Sequence, residues 1–212
     1  QKIRDEFKKK QDEKDAENRL SNELMNRGYW NTEMSTWLEE GRLCVLKGDL
    51  GEPRFGLTAD AMVRLARNVQ TIFHVGSYVN HLAGYRALKS TNVGGMTEVL
   101  RLCNLRRSLA PPMKSLPCVH YVSTISVLDR SLEPRIESNV GQPETMLCTD
   151  GYATSKWVAE MRLRAAHEKG ICNGTILRPG LLSPDLDTGS SNLTDWLVRF
   201  VTGCIELGGF FA

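Results

Sequence analysis

The sequence of 212 residues lacks the features that mark membrane-spanning and nucleic-acid-binding proteins. It has no apolar run close to the roughly 20 residues that cross a bilayer. Its 27 basic and 25 acidic residues leave a net charge of +2, so we expect neither nucleic acid nor membrane as a partner. The opening stretch QKIRDEFKKK has no apolar signal-peptide core, and we therefore expect a cytoplasmic protein.

The cysteines are too scattered to form a metal site. The sequence contains no CxxC pair and no Cys/His cluster at zinc spacing, so no metal is expected. Several cysteines lie in apolar runs, and we interpret all six as small buried hydrophobes in a reducing compartment, with one reactive thiol as the alternative. The six are Cys44, Cys103, Cys118, Cys148, Cys172 and Cys204.

Strand and helix patterns alternate along most of the chain. We predict a charged helical segment over residues 1–40 and a domain over residues 41–212. The alternation favours an α/β fold built on an open, doubly wound parallel sheet. The predicted strands cover 42–49, 70–77, 117–128 and 174–185. The predicted helices of the domain cover 57–68, 87–105, 149–170 and 192–208, and a loop covers 129–150.

Small and polar residues follow the predicted strands. In open α/β sheets, ligands bind at the carboxyl ends of the strands. The sequence therefore predicts a ligand site formed by these residues. They are Gly48-Asp49, Gly76-Ser77, Ser123-Thr124 and Pro179-Gly180.

The stretch GYATSKWVAE carries a tyrosine and a lysine four residues apart on a predicted helix. This spacing puts Tyr152 and Lys156 on one helix face, where the ammonium is expected to lower the pKa of the phenol. Such a phenol is a general acid for a carbonyl oxygen that becomes an alkoxide. A hydroxyl of Thr124 or Ser123 is placed to donate a second hydrogen bond to that oxygen. Taken alone, the spacing is also typical of a solvated helix face.

Several stretches together resemble an extended short-chain dehydrogenase/reductase, and more closely the thioester-reductase family. That family includes terminal reductase domains of nonribosomal peptide synthetases, carboxylic acid reductases and fungal α-aminoadipate reductase, and the fungal enzyme looks nearest. The tryptophan after the lysine and the GSSN-x-TD stretch are the more specific signals. The resemblance is carried by VLKGDLGEPRFGL, NVQTIFHVGSYVNH, NVGGMTEVLRL, YVSTISVL, GYATSKWVAE and LRPGLLSPDLDTGSSNLTDWLVRF, from about residue 45 to 208.

The resemblance implies roles for particular residues. Thr124, Tyr152 and Lys156 are the implied catalytic residues, and Lys156 is also implied to bind the nicotinamide ribose. Asn92 occupies the place of a helix asparagine that supports the active site, although an N-cap is an equally good interpretation. The implied cofactor-binding residues are Asp49, Leu50, Gly76, Ser77, Asn92, Ser123, Lys156, Pro179, Gly180 and Leu181.

Two expected parts of the family are missing from the sequence. No glycine-rich turn of the TGxxGxxG type is present to hold a pyrophosphate at a helix N-terminus. The second strand, whose arginine meets the 2′-phosphate of NADPH in the family, is also missing. We therefore expect a Rossmann-like sheet without its first two strands and without the C-terminal substrate part. As written, this stretch is expected to bind a dinucleotide poorly and to be part of a larger multidomain chain.

The function implied by the resemblance is NADPH-dependent reduction of an acyl thioester to an aldehyde, or on to the alcohol. The acyl group is then borne on the phosphopantetheine arm of a carrier domain, which is the expected partner. Two alternatives stay open at this point. One is an extended-type reductase or epimerase for a free small molecule, which the GSSN-x-TD stretch disfavours. The other is a non-catalytic Rossmann-like relic.

Overall fold

The computed structural model describes residues 2–109, 115–128 and 150–209, with side chains from residue 14 onward. The chain forms two compact units. One unit is Gly48–Gly180, and the other joins Gln1–Lys47 with Leu181–Ala212. The predicted domain boundary after residue 40 remains a prediction.

Seven α-helices are formed by the described residues. A π-helical turn, Lys89–Val93, joins the fourth helix to the fifth, and short 3-10 helices cover Pro53–Gly56 and Ile125–Val127. Among the described residues, no helix combines the length and the apolar character that a membrane crossing requires. The helices are α1 (Lys2–Asn26), α2 (Thr32–Glu39), α3 (Ala59–Asn68), α4 (Tyr85–Leu88), α5 (Gly94–Ser108), α6 (Gly151–Glu168) and α7 (Trp196–Leu207).

A sheet of three parallel strands lies in the unit Gly48–Gly180. The strands are β1 (Thr71–His74), β2 (Cys118–Val122) and β3 (Asn173–Leu177), in that order across the sheet. His74 lies opposite Tyr121, and Tyr121 lies opposite Ile176. Parallel strands require crossover connections, which here contain helices. The predicted α/β class with a parallel sheet is confirmed.

The core of this unit lies between the sheet and the helices α5 and α6. Alternate residues of β2, Val119 and Tyr121, face this core, and Leu163 of α6 packs with them. A second cluster joins α3 to α5 through Met62, Ala66 and Leu102. This packing fixes α6 against the sheet, and α6 carries the tyrosine–lysine pair.

Helix ends in this unit follow their sequence signals. Thr58 caps α3, since its side chain accepts a hydrogen bond of 3.2 Å from the Ala61 amide. Gly170 follows α6 with φ of 63°, a left-handed conformation that glycine adopts without steric cost. The predicted loop over 129–150 lies outside the described residues except for Asp150.

The predicted strand over residues 42–49 is wrong. Its backbone makes turn contacts instead: the Leu43 amide donates to Trp37 and the Asp49 amide donates to Phe55. A strand needs a neighbouring strand to pair its amides and carbonyls. In the described part of the chain no strand pairs with 42–49, and Leu46 is about half exposed at 48%.

The second unit contains α1, α2 and α7. Asn31 and Asp195 cap α2 and α7 by accepting hydrogen bonds from backbone amides in the first turns. The Ser190 hydroxyl donates to the Arg27 carbonyl at 2.5 Å, which joins the loop before α7 to the end of α1. The predicted helix over residues 192–208 is confirmed as α7, and the segment over residues 1–40 contains α1 and α2.

The cysteines are only partly buried. Cys103 and Cys172 lie in the core, as predicted. Cys44 is exposed because its run, LCVL, is not a strand of the sheet, and Cys118 and Cys204 are half-buried. Cys148 lies outside the described residues.

Candidate active site

The first turn of α6 is fixed at a close backbone contact. Asp150 caps the helix by accepting a hydrogen bond of 2.6 Å from the Ala153 amide. A Cβ at Gly151 would overlap the backbone of Ala83, Gly84 and Tyr85, where α4 begins. Only glycine fits this contact, which places Tyr152 at the start of the helix.

Tyr152 is buried and lies against two residues of the loop after β1. Its side chain is hydrogen-bonded to that of Ser77, and the His81 ring stands edge-on to it with centroids 4.9 Å apart. Burial raises the pKa of Tyr152, the charge of Asp150 adds to this, and the Ser77 hydrogen bond opposes it. The expected lowering of this pKa by Lys156 is therefore wrong, because desolvation dominates.

Lys156 points toward the end of β2. Its ammonium donates a hydrogen bond of 2.6 Å to the Val122 carbonyl and lies 4.5 Å from the centroid of the Tyr121 ring. Burial lowers the pKa of Lys156 to about 8, and the Glu160 carboxylate acts in the opposite direction. The side chain is 1% exposed. The site thus contains a buried amine whose pKa lies well below that of an exposed lysine.

Thr124 and Ser123 follow β2 directly. The Thr124 hydroxyl accepts a hydrogen bond of 3.2 Å from the Ser126 amide, so it caps the short 3-10 helix. It also donates to the Ser126 hydroxyl at 3.3 Å. The Ser123 hydroxyl is buried and has no hydrogen-bond partner in the described residues. Both hydroxyls lie at the strand edge that carries the Lys156–Val122 contact.

Asn92 joins three elements from within the π-helical turn. Its amide side chain accepts from the Tyr78 amide at 2.7 Å and donates to the Tyr78 carbonyl at 3.1 Å. It also donates to the Ser155 hydroxyl at 2.8 Å. The N-cap interpretation is wrong, because the helical segment begins at Tyr85, well before Asn92. Asn92 supports both the loop after β1 and the helix α6.

Leu50 fills a gap between two glycines. A Cβ at Gly76 would lie 2.7 Å from Cδ1 of Leu50, and one at Gly95 would lie 3.4 Å from its Cβ. Asp49 is exposed and its carboxylate accepts a hydrogen bond of 2.7 Å from the Gly51 amide. The structure thus brings Leu50 and Gly76 together, while the Asp49 side chain turns into its own loop.

The segment after β3 lies beside the end of β2. The Ser123 amide donates to Leu177 at 2.6 Å, and the Ile125 amide donates to Pro179 at 3.2 Å. Gly180 also lies near Ile125, since a Cβ there would be 3.5 Å from Cδ1 of that side chain. Leu181 belongs to the other unit and is 68% exposed. Pro179 and Gly180 therefore lie at the predicted edge.

Two charged residues beside the site were not predicted from the sequence. Arg178 and Glu160 form a buried ion pair with contacts of 3.0 and 2.6 Å. The available signals were the spacing of four residues from Lys156 to Glu160 and an arginine directly after an apolar strand. Among the described residues, no cluster of three metal-ligating side chains is present.

The sequence profile of a family of NAD-binding domains, described as "Male sterility protein", matches residues 7–211. The chain is 38% identical over 172 residues to a component of the linear gramicidin synthase of Brevibacillus parabrevis. It is 33% identical over 192 residues to the large subunit of the L-2-aminoadipate reductase of Candida glabrata. These alignments cover 79% and 84% of this chain, but only 3% and 13% of the two relatives.

The chain is also similar to a solved structure, the terminal R domain from the myxalamid PKS-NRPS biosynthetic pathway. The two share 33% identity with a TM-score of 0.78, over 92% of this chain and 47% of the other. The chain therefore spans about half the length of that domain and a small part of the curated relatives.

Proposed function

The chain belongs to the NAD-binding family described as male sterility protein, and we propose that it is part of a carrier-linked thioester reductase. The proposed substrate is an acyl thioester on a phosphopantetheine arm, and the proposed cofactor is NADPH. The observation that carries the proposal is that Thr124 and Lys156 lie at one sheet edge, with Tyr152 one turn before Lys156 on α6. The identity of 33% to a terminal R domain supports the same conclusion.

The residues at the carboxyl edge of the sheet fit a nicotinamide cofactor. Gly180 carries no side chain that would keep a ligand from the backbone, and the missing side chain of Gly76 makes room for Leu50. The buried Ser123 hydroxyl has no partner in the described residues and can donate to a ligand. When bound, the reduced cofactor supplies hydride to the thioester carbonyl carbon. The choice of NADPH over NADH rests on the resemblance to thioester reductases.

Tyr152 is the proposed proton donor. Its raised pKa keeps the phenol protonated at neutral pH, so the hydroxyl can donate to the carbonyl oxygen as that oxygen becomes an alkoxide. The Thr124 hydroxyl is the proposed second donor to the same oxygen. To do so it must turn from Ser126, its partner at 3.3 Å in this structure.

Lys156 is proposed to stabilise negative charge at this edge. Its ammonium is buried, and electrostatic attraction is stronger in such surroundings than in water. Its pKa of about 8 leaves it mostly protonated at neutral pH and able to return a proton to the site. The same ammonium is the proposed donor to the nicotinamide ribose.

The release step follows from the chemistry of the reduced carbon. Hydride addition and protonation convert the thioester carbonyl into a hemithioacetal. Its carbon–sulfur bond then breaks as the hydroxyl loses its proton, and the sulfur leaves as a thiolate that takes a proton from solvent. The products are an aldehyde and the free phosphopantetheine thiol. Tyr152 is left as a phenolate once it has given its proton to the alkoxide, so it is the proposed base that takes the hydroxyl proton back.

Calorimetry with NADPH and NADH tests the cofactor assignment. The titrations compare this chain with a version extended to the full length of the solved R domain, of which the chain covers 47%. We expect the extended version to bind NADPH more tightly than NADH. If neither version binds a nicotinamide cofactor, the chain is a non-catalytic relic. If the extended enzyme reduces a free carbonyl compound but no carrier thioester, the alternative small-molecule reductase is correct.

A further inference from the structure

The buried ion pair of Glu160 and Arg178 lies between the helix of the proposed acid and the last strand. Arg178 Nε donates to Glu160 Oε1 at 3.0 Å, and Nη2 donates to Oε2 at 2.6 Å. The side chain of Arg178 is 5% exposed, and that of Glu160 is 0% exposed. Two parallel hydrogen bonds fix both position and direction, which a single contact does not.

The pair joins the two parts of the proposed oxyanion site. Glu160 lies one helical turn after Lys156, which lies one turn after Tyr152. On the other side, Arg178 directly precedes Pro179, whose carbonyl accepts from the Ile125 amide next to Thr124. A shift of α6 against β3 would therefore change the position of the phenol and the ammonium relative to the Thr124 hydroxyl.

Stability alone gives a weak reason for this pair. Removing two charges from water costs about as much as their attraction returns, and well-packed apolar residues often replace such a pair without loss. The surroundings give a stronger reason. Glu160 and Lys156 share one face of α6, and the carboxylate favours the charged form of the amine, against the effect of burial.

We propose that Glu160 and Arg178 are positioning residues for the proposed reductase site, which they serve by fixing Tyr152 and Lys156 against the ends of β2 and β3. This inference rests on the proposed function for its catalytic consequence. Glu160 supplies the charge beside Lys156, and the two hydrogen bonds from Arg178 hold the Glu160 carboxylate in place. Neither residue is assigned contact with the substrate or the cofactor.

Other titratable groups also face Lys156. His74 of β1 stacks on Tyr121 of β2, with ring centroids 5.3 Å apart, and both rings lie on the side of the sheet that faces α6. Tyr152 lies on the same helix as Lys156. Burial, with a smaller effect from the charge of Lys156, lowers the pKa of His74 to about 4, so this ring is neutral at neutral pH. Glu160 is thus the group whose negative charge acts on the amine at neutral pH.

The first test follows the titration of Lys156 in this chain by NMR of lysine labelled at the ε-carbon, with Lys156→Met for assignment. Glu160→Gln keeps the size of the side chain and removes its charge. We expect it to move the Lys156 midpoint to lower pH. The control is Glu98→Gln on α5, whose side chain is 8% exposed and pairs with Arg101. The control should leave the Lys156 midpoint unchanged.

The double variant Glu160→Gln/Arg178→Met keeps the test decisive if the single variant does not fold. It removes both charges of the ion pair, so neither partner is left buried and unpaired, and we expect it to fold. We expect the Lys156 midpoint again to move to lower pH, but by a smaller amount, because the loss of the Arg178 charge acts against the loss of the Glu160 charge. In the domain-length enzyme, we expect kcat to fall by about tenfold to a hundredfold, with a smaller change in KM.

The inference is overturned if the double variant folds and keeps the Lys156 midpoint of the unaltered chain. It is also overturned if the Lys156 midpoint and kcat change as much in the Glu98→Gln control as in the double variant. The titration needs no turnover, so its result stands even if the enzyme proves not to reduce thioesters. Failure of the proposed function would instead appear as an absence of thioester turnover in the unaltered domain-length enzyme.

Discussion

The ammonium of Lys156 and the carbonyl of Val122 form a hydrogen bond of 2.6 Å at the end of β2. This contact directs the amine toward the strand edge that leads into Thr124. It also buries the amine, and burial lowers the pKa of Lys156 from 10.5 to about 8. Burying the protonated amine costs stability at neutral pH, and this cost falls as the amine loses its proton at higher pH.

We predict that Lys156 contributes an increase in stability with pH between about 8 and 10.5. In this window the unfolded chain keeps a proton on Lys156 and the folded chain loses it, so the free energy of unfolding increases with pH. The full gain is on the order of 3 kcal/mol, at about 1.4 kcal/mol per pKa unit. Chemical denaturation at several pH values measures it. The variant Lys156→Met should lose this part of the slope, and an unchanged slope would contradict the burial.

Replacing Tyr152 by phenylalanine should remove the proposed proton donor and leave the packing in place. We expect kcat of the domain-length enzyme to fall about 10²- to 10⁴-fold, because proton transfer would depend on solvent. Cofactor affinity should change little. Ser77→Ala is the comparison, since it removes the hydrogen-bond partner of Tyr152 but leaves the phenol in place and should cost much less. Equal losses in both variants would assign the effect to the loop after β1.

Asn92→Ala should destabilise the chain by about 2–3 kcal/mol. The substitution leaves the Tyr78 amide and carbonyl without their partner, and it removes the contact with Ser155. Asn68→Ala is the control, because Asn68 makes a single exposed hydrogen bond to Arg64 and should cost well under about 1 kcal/mol. Urea denaturation separates the two. Equal losses would show that Asn92 does not join the loop to α6.

Gly151→Ala should destabilise the chain by about 3 kcal/mol or more, since its Cβ would overlap the backbone where α4 begins. Gly203→Ala is the opposite case. Gly203 lies inside α7 with open space around its missing Cβ, so alanine should stabilise that helix by about 0.5–1 kcal/mol. Thermal denaturation of the two variants measures the expected loss and the expected gain in stability. A tolerated alanine at 151 would contradict the close contact at α6.

Local sequence signals were sufficient for part of this structure. Thr58 at the start of α3 and Gly170 after α6 act through their own backbone neighbourhoods, so the sequence alone predicts them. The spacing of Tyr152 and Lys156 likewise places both on α6. The predicted strand over residues 42–49 failed because a strand depends on a partner elsewhere in the fold.

Other features of the site depend on contacts that no local pattern records. The direction of Lys156 toward Val122 is set by the packing of α6 on the sheet. The role of Asn92 depends on a π-helical turn that brings its side chain to Tyr78. The sign of the pKa change of Tyr152 also could not be predicted, since spacing suggests a nearby ammonium but does not measure burial.

The most direct test of the central claim is turnover of an acyl thioester on a phosphopantetheinyl carrier domain by the domain-length enzyme. Loss of NADPH absorbance and release of the free thiol are followed together, with Tyr152→Phe as the control. We expect both signals to appear in equal amounts with the aldehyde product, and we expect Tyr152→Phe to lose them. Thiol release without NADPH consumption, or NADPH consumption that survives in Tyr152→Phe, would contradict it.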